Sequence, residues 1–159
     1  MDGRPLTLPA LDPMSLPELR GTGYPSPYKE QVAGRTKRKL GDAAGITQFG
    51  VNLTALMPGA CSAMRHWHET EDEFVYVLTG ELVLVTDAGE QVLTAGMAAG
   101  FPAGRPDGHH LANRSKAPAT FLEVGTRTKS DNVTYPGIDL KAVNDGTGWK
   151  YLHKDGRPY

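Results

Sequence analysis

His66 and His68 stand one residue apart, and Glu69, Glu71, Asp72 and Glu73 follow within the next five positions. Residues two apart on a strand share a face, so both imidazoles point the same way if this segment is extended. Glu73 lies beyond a turn at Glu69 to Asp72 and opens an apolar run, on the same face as Val75 and Val77. Farther along, His109 shares a face with Leu111 and Asn113, and His110 takes the opposite face. If these strands close into a barrel, three imidazoles and one carboxylate reach one cavity. That mixed nitrogen and oxygen set suits a divalent transition metal: iron, manganese, nickel, zinc or copper. It does not suit calcium, which prefers all-oxygen sites. Four protein ligands on an octahedral ion leave two positions for water or substrate. The competing reading is a polar barrel mouth without metal; the spacing favours ligands.

The elements that must position these residues are short strands. Phe49, Val51, Leu53, Ala55 and Met57 alternate along one strand before the Pro58-Gly59 turn. Phe74–Leu78 and Leu82–Val85 follow on either side of Thr79-Gly80, and Asp87-Ala88-Gly89-Glu90 is a hairpin signal returning through Gln91–Leu93. Gly96–Phe101, His109–Asn113 and Ala119–Thr126 complete the series, at the spacing of a sandwich or barrel. No amphipathic helix interrupts them. Residues 1–45 read as an N-terminal arm, in which Pro5, Pro9, Pro13, Pro17, Pro25 and Pro27 exclude a long helix. Ser15–Leu19 can make one helical turn with Ser15 as its cap. The run Arg35-Thr36-Lys37-Arg38-Lys39 reads as a solvated basic face. Residues 46–127 read as the barrel, and 128–159 as an irregular extension packing on it, with Asp145-Gly146 as a turn and Trp149–His153 as a last strand.

The chain of 159 residues suits one domain with a core of its own. A formal net charge of −1 argues against a general nucleic-acid partner. Cys61 is the only cysteine, so no internal disulfide forms. The proline-broken start lacks the pattern of a signal peptide, and no apolar run is long enough for a membrane helix. The expectation is a soluble cytoplasmic protein with no nucleic-acid or membrane partner.

The segment GACSAMRHWHETEDEFVYVLTG resembles the first motif of the cupin superfamily, through Gly59, His66, His68, Glu73 and Gly80. GMAAGFPAGRPDGHHLAN resembles the second, through Gly96, Pro102, Gly104, His109 and Asn113. The resemblance covers residues 46 to 127 and implies an all-β fold, a double-stranded jelly-roll barrel, with a metal held by His66, His68, Glu73 and His109. Two departures stand out. Six residues rather than five separate Gly59 from His66, and two extra residues precede the histidine pair, placing Asp107 where the pattern has its ligand. His109 keeps the spacing to Asn113; His110 is the fallback if a bulge shifts the register.

The resemblance is closest to small single-domain bacterial cupins, some labelled sugar-phosphate isomerases. It implies a metal-dependent enzyme on a small oxygenated metabolite, isomerase-like or epimerase-like, and a homodimer. The alternatives are an iron-dependent dioxygenase and a non-catalytic sensor of a small ligand. No catalytic residue is assigned: no second carboxylate or tyrosine is placed beside the metal by spacing alone. Glu71 and Asp72 read as solvated turn acids able to orient a histidine, and Arg65, Arg105 and Arg114 as rim charges, one of which could hold an anionic substrate.

Overall fold

The computed structural model describes residues 6–159; Pro5 and the four residues before it lie outside the described part. Among the described residues thirteen strands are formed: β1 (Leu19–Arg20), β2 (Arg35–Lys39), β3 (Phe49–Leu56), β4 (Trp67–His68), β5 (Glu73–Thr79), β6 (Glu81–Thr86), β7 (Gly89–Thr94), β8 (Ala98–Phe101), β9 (His110–Ala112), β10 (Ala119–Thr126), β11 (Asp131–Thr134), β12 (Lys141–Asn144) and β13 (Trp149–Leu152). They build an antiparallel six-stranded sheet in the order β1-β2-β3-β10-β5-β8, a three-stranded sheet β7-β6-β9, and a four-stranded sheet β13-β12-β11-β4. The fold is an all-β jelly roll. Its α-helix, Leu40–Ala43, is a single turn.

Alternation explains the barrel strands. Val75 and Val77 of β5 and Phe121 of β10 are buried and form one core with Leu56, Leu82 and Leu111. On the other side of β5 Phe74, Tyr76 and Leu78 face outward. Gly80 joins β5 to β6 at φ +77°; a Cβ there would lie 2.8 Å from the Ala119 Cβ and 3.0 Å from the Pro118 carbonyl. Only glycine fits that turn. The expected hairpin is present, with Thr86 opposite Gly89.

The flanks hold more regular structure than their sequence implies. The basic run forms β2 and joins the main sheet beside β3. The C-terminal extension supplies β11–β13, and β11 pairs with β4, the strand that carries His68. Tyr24, Val32, Met64, Val133, Tyr135 and Leu140 form a second buried cluster there. The predicted turn at Ser15–Leu19 sits earlier, at Pro13–Ser15. Asp12 rather than Ser15 caps it, accepting from the Met14 N–H at 2.9 Å, because its carboxylate reaches the first free amide after Pro13, which has none. Glu69, Glu71 and Asp72 are engaged rather than merely solvated: Glu69 accepts from Asn132, Glu71 from the Thr128 amide, and Asp72 from the Ala103 amide.

Candidate metal centre

The two histidine segments meet through backbone pairing. His66 and His109 form an isolated antiparallel bridge, exchanging N–H···O bonds of 3.1 and 2.9 Å. Directly opposed residues project to one face, so their rings lie together, centroids 5.0 Å apart. His68 sits two residues along on the same face, its ring 5.1 Å from that of His66. Glu73 begins β5, opposite Gly125 of β10 on one side and Phe101 of β8 on the other. Phe101 stacks on His109 at 3.6 Å and fixes its plane.

Glu73 Oε2 lies at the centre of the group, 2.9 Å from His109 Nε2, 3.4 Å from His66 Nε2 and 3.6 Å from His68 Nε2. Donor atoms of His66, His68 and Glu73 all lie within 4.8 Å of one another, and His109 joins through Glu73. His110 turns away and bonds the Ala63 carbonyl through Nδ1 at 3.2 Å; burial lowers its pKa.

The second nitrogen of each ring is held from outside. His66 Nδ1 donates to the Met64 carbonyl at 2.8 Å, His109 Nδ1 faces the Asp107 carbonyl at 3.4 Å, and His68 Nδ1 meets Asp131 Oδ2 at 2.5 Å. Backbone carbonyl and carboxylate oxygens accept, so these contacts put the proton on Nδ1 and leave a bare lone pair on Nε2. Three such lone pairs then converge on a carboxylate. That concentration of electron density requires a cation or added protons, and the set fits a divalent transition ion. Without one, burial alone would raise the Glu73 pKa and lower that of His66. The imidazoles reverse the first effect and hold Glu73 well below the usual carboxylate value, while Glu73 reverses the second and raises His66.

Sequence reasoning did not find Asp131, Tyr135 or Glu123. Asp131 is wholly buried at the start of β11 and accepts from the Thr70 amide and hydroxyl at 2.8 Å each, besides holding His68. Tyr135 stacks on His66 at 5.8 Å and packs edge-on against Tyr24. Burial pushes the Tyr24 hydroxyl up to about 12 and raises Tyr135 further, so both stay protonated. Glu123 of β10 faces inward with Asn52 of β3, whose side-chain amide donates to it at 3.1 Å. The one available signal was the alternation of Phe121, Glu123 and Gly125 along β10, which places Glu123 on the buried face. Among the arginines singled out, Arg65 pairs with Asp87 and Arg114 with Glu90.

The group lies between two cavities. The larger, about 580 Å³, runs along the inner faces of β3, β5 and β10 to Tyr135, Trp149 and Tyr151. The smaller, about 270 Å³, opens on the other side and is lined by Trp67, Leu84, Gln91, Phe101 and Arg105. His68, Glu73 and His109 line both.

A jelly-roll barrel with a histidine-rich centre between its sheets defines a class, and comparison with known proteins places the chain in it. The cupin domain family matches residues 52–125. The crystal structure of a sugar phosphate isomerase from a cupin superfamily, from Silicibacter pomeroyi, is 47% identical with a TM-score of 0.92, over 95% of this chain and 96% of that one. A provisionally assigned sugar phosphate isomerase from Acidithiobacillus ferrooxidans is 28% identical with a TM-score of 0.72, over 79% and 80%. The polyketide cyclase RemF from Streptomyces resistomycificus, 24% identical with a TM-score of 0.59 over 76% and 80%, shares the fold. No functionally curated protein matches. The chain belongs to the cupin superfamily. Among the described residues no helix is long and apolar enough to cross a membrane.

Proposed function

We propose that this cupin is a metal-dependent enzyme that isomerises a small sugar or sugar phosphate. The observation that carries this reading is the convergence of three Nδ1-anchored imidazoles and Glu73 on one point of a 580 Å³ cavity with polar and aromatic walls. His66, His68, Glu73 and His109 would hold one divalent transition ion. When bound, that ion would supply Lewis acidity toward a substrate carbonyl. The likeness to the Silicibacter pomeroyi protein supports the substrate class. Around the site, Asn52 and Glu123 offer a donor and an acceptor to substrate hydroxyls, and Trp149 and Tyr151 form an apolar wall that limits water. Two carboxylates besides Glu73 line the cavity; Glu71 is held by the Thr128 amide and hydroxyl, and Glu123 is the one suited to carry a proton between neighbouring carbons.

The test is elemental analysis of untagged protein followed by aldose–ketose interconversion assays in deuterated water. A transition metal near one per chain, with deuterium entering the product, supports the proposal. Metal with no turnover on any sugar or sugar phosphate would refute it and favour a ligand sensor. The smaller cavity favours a second reading, an iron-dependent dioxygenase, since it gives a small molecule a separate approach to the group; native iron with substrate-dependent oxygen uptake would select it. We also propose a homodimer built on the outward face of Phe74, Tyr76 and Leu78; a sedimentation mass of one chain would refute it.

A further inference from the structure

The basic run is not one solvated face, because β2 divides it. Arg38 turns outward, where it pairs with Glu18 and donates to the Leu16 carbonyl. Lys39 pairs with Asp42 at the exposed end. Arg35 and Lys37 turn inward and line the large cavity that holds the histidine group. Two residues apart on one strand, their Cα atoms are about 6.6 Å apart, which lets two long cationic side chains close on one small anion.

Their present contacts leave capacity for one. Arg35 donates Nη1 to the Ser62 carbonyl, and the rest of its guanidinium fork has no partner among the described residues. Lys37 is paired with Glu123, and both are half-buried. Such a pair is weak evidence of stabilisation, because desolvation offsets most of its attraction. Its use is clearer as a counter-ion held in place until a stronger anion arrives. A carbonyl and a carboxylate thus occupy donors that fit a phosphate, the fork of Arg35 in two-point contact and Lys37 as a point charge.

We infer that Arg35 and Lys37 form an anion subsite of the cavity, which takes the phosphate of a phosphomonoester substrate while Glu123 releases Lys37. This rests on the isomerase reading and narrows it to phosphorylated substrates. Its test does not use turnover, so the two can fail separately.

The experiment is titration calorimetry of the full chain with inorganic phosphate, ribose 5-phosphate and ribose, in the wild type and in Arg35→Gln, Lys37→Gln, Glu123→Gln and His68→Ala variants. Circular dichroism verifies folding of each. Arg35→Gln and Lys37→Gln should each weaken phosphate and ribose 5-phosphate about tenfold or more. Glu123→Gln should bind phosphate more tightly than wild type, because Lys37 is freed and a negative charge is gone. A merely structural pair predicts no such gain, and this arm stands even if the cationic variants fail to fold. His68→Ala should retain phosphate. The subsite is overturned if wild type shows no phosphate binding, if ribose binds as tightly as its phosphate, if Glu123→Gln weakens phosphate, or if His68→Ala abolishes it.

Discussion

Asp131→Asn probes the support of the centre without altering His66, His68, Glu73 or His109. The wild-type carboxylate is wholly buried and accepts three hydrogen bonds, two from Thr70 and one from His68 Nδ1. In the asparagine variant the remaining oxygen can keep Thr70, and the new amide N–H₂ then faces the N–H of His68. Two donors opposed in a buried site cost about 1–3 kcal/mol. For a chain of this length that lowers Tm by about 2–4 °C per kcal/mol, or about 2–12 °C in all. The ring can relieve the clash by moving its proton to Nε2, which removes the lone pair aimed at the metal. Loss of such an outer partner weakens metal binding about 10- to 100-fold. Competition with a chromophoric chelator measures the affinity, and nitrogen-15 shifts of the His68 ring report the tautomer. Thr70→Val is the control: it removes one bond to Asp131 and leaves His68 held, so metal affinity should change little. If Asp131→Asn binds metal within about threefold of wild type, with His68 still protonated on Nδ1, the reasoning is wrong.

Two further outcomes follow from the same geometry. His109→Ala should lose bound metal, whereas His110→Ala should keep it and lose only a modest amount of stability, about 1 kcal/mol for its bond to the Ala63 carbonyl; the reverse pattern in metal analysis would move the fourth ligand to His110. Metal-free protein should be most stable in mildly acidic solution. The raised His66 pKa gives stability that is full below the ordinary value of 6.5 and lost as pH rises through the folded value. The depressed Glu73 pKa gives stability present above 4.5 and lost as pH falls through its folded value. Thermal melts of chelator-treated protein should therefore peak between these limits, while added zinc or manganese should stabilise more strongly as pH rises because the ligands must shed protons; parallel pH profiles with and without metal would contradict this.

Local pattern carries the barrel a long way. The alternation of Phe74–Leu78 and Ala119–Thr126 defines β5 and β10, because one buried face enforces a period of two. The spacing of His66, His68 and Glu73 likewise requires only that two short strands meet at a turn. The flanks were less legible. Asp131 to Thr134 reads as loop sequence, since a four-residue strand with three polar members carries little periodic signal; pairing with β4 and β12 makes it a strand.

The sequence by itself determined the alternation of β5 and β10 and, through the spacing of His66, His68 and Glu73, a donor set of imidazoles and a carboxylate; in β3 packing buried Thr54 and Leu56 and left Phe49 exposed. Tertiary structure decided which faces oppose each other. The bridge between His66 and His109 turns His109 rather than His110 toward Glu73, and the pairing of β11 with β4 brings Asp131 to His68 from 63 residues away. The place of β2 beside β3 turns half of a basic run into cavity wall. Facing is a local consequence of backbone pleat, readable from a few neighbours. Opposition depends on the register between distant strands, and packing of the whole barrel sets that register.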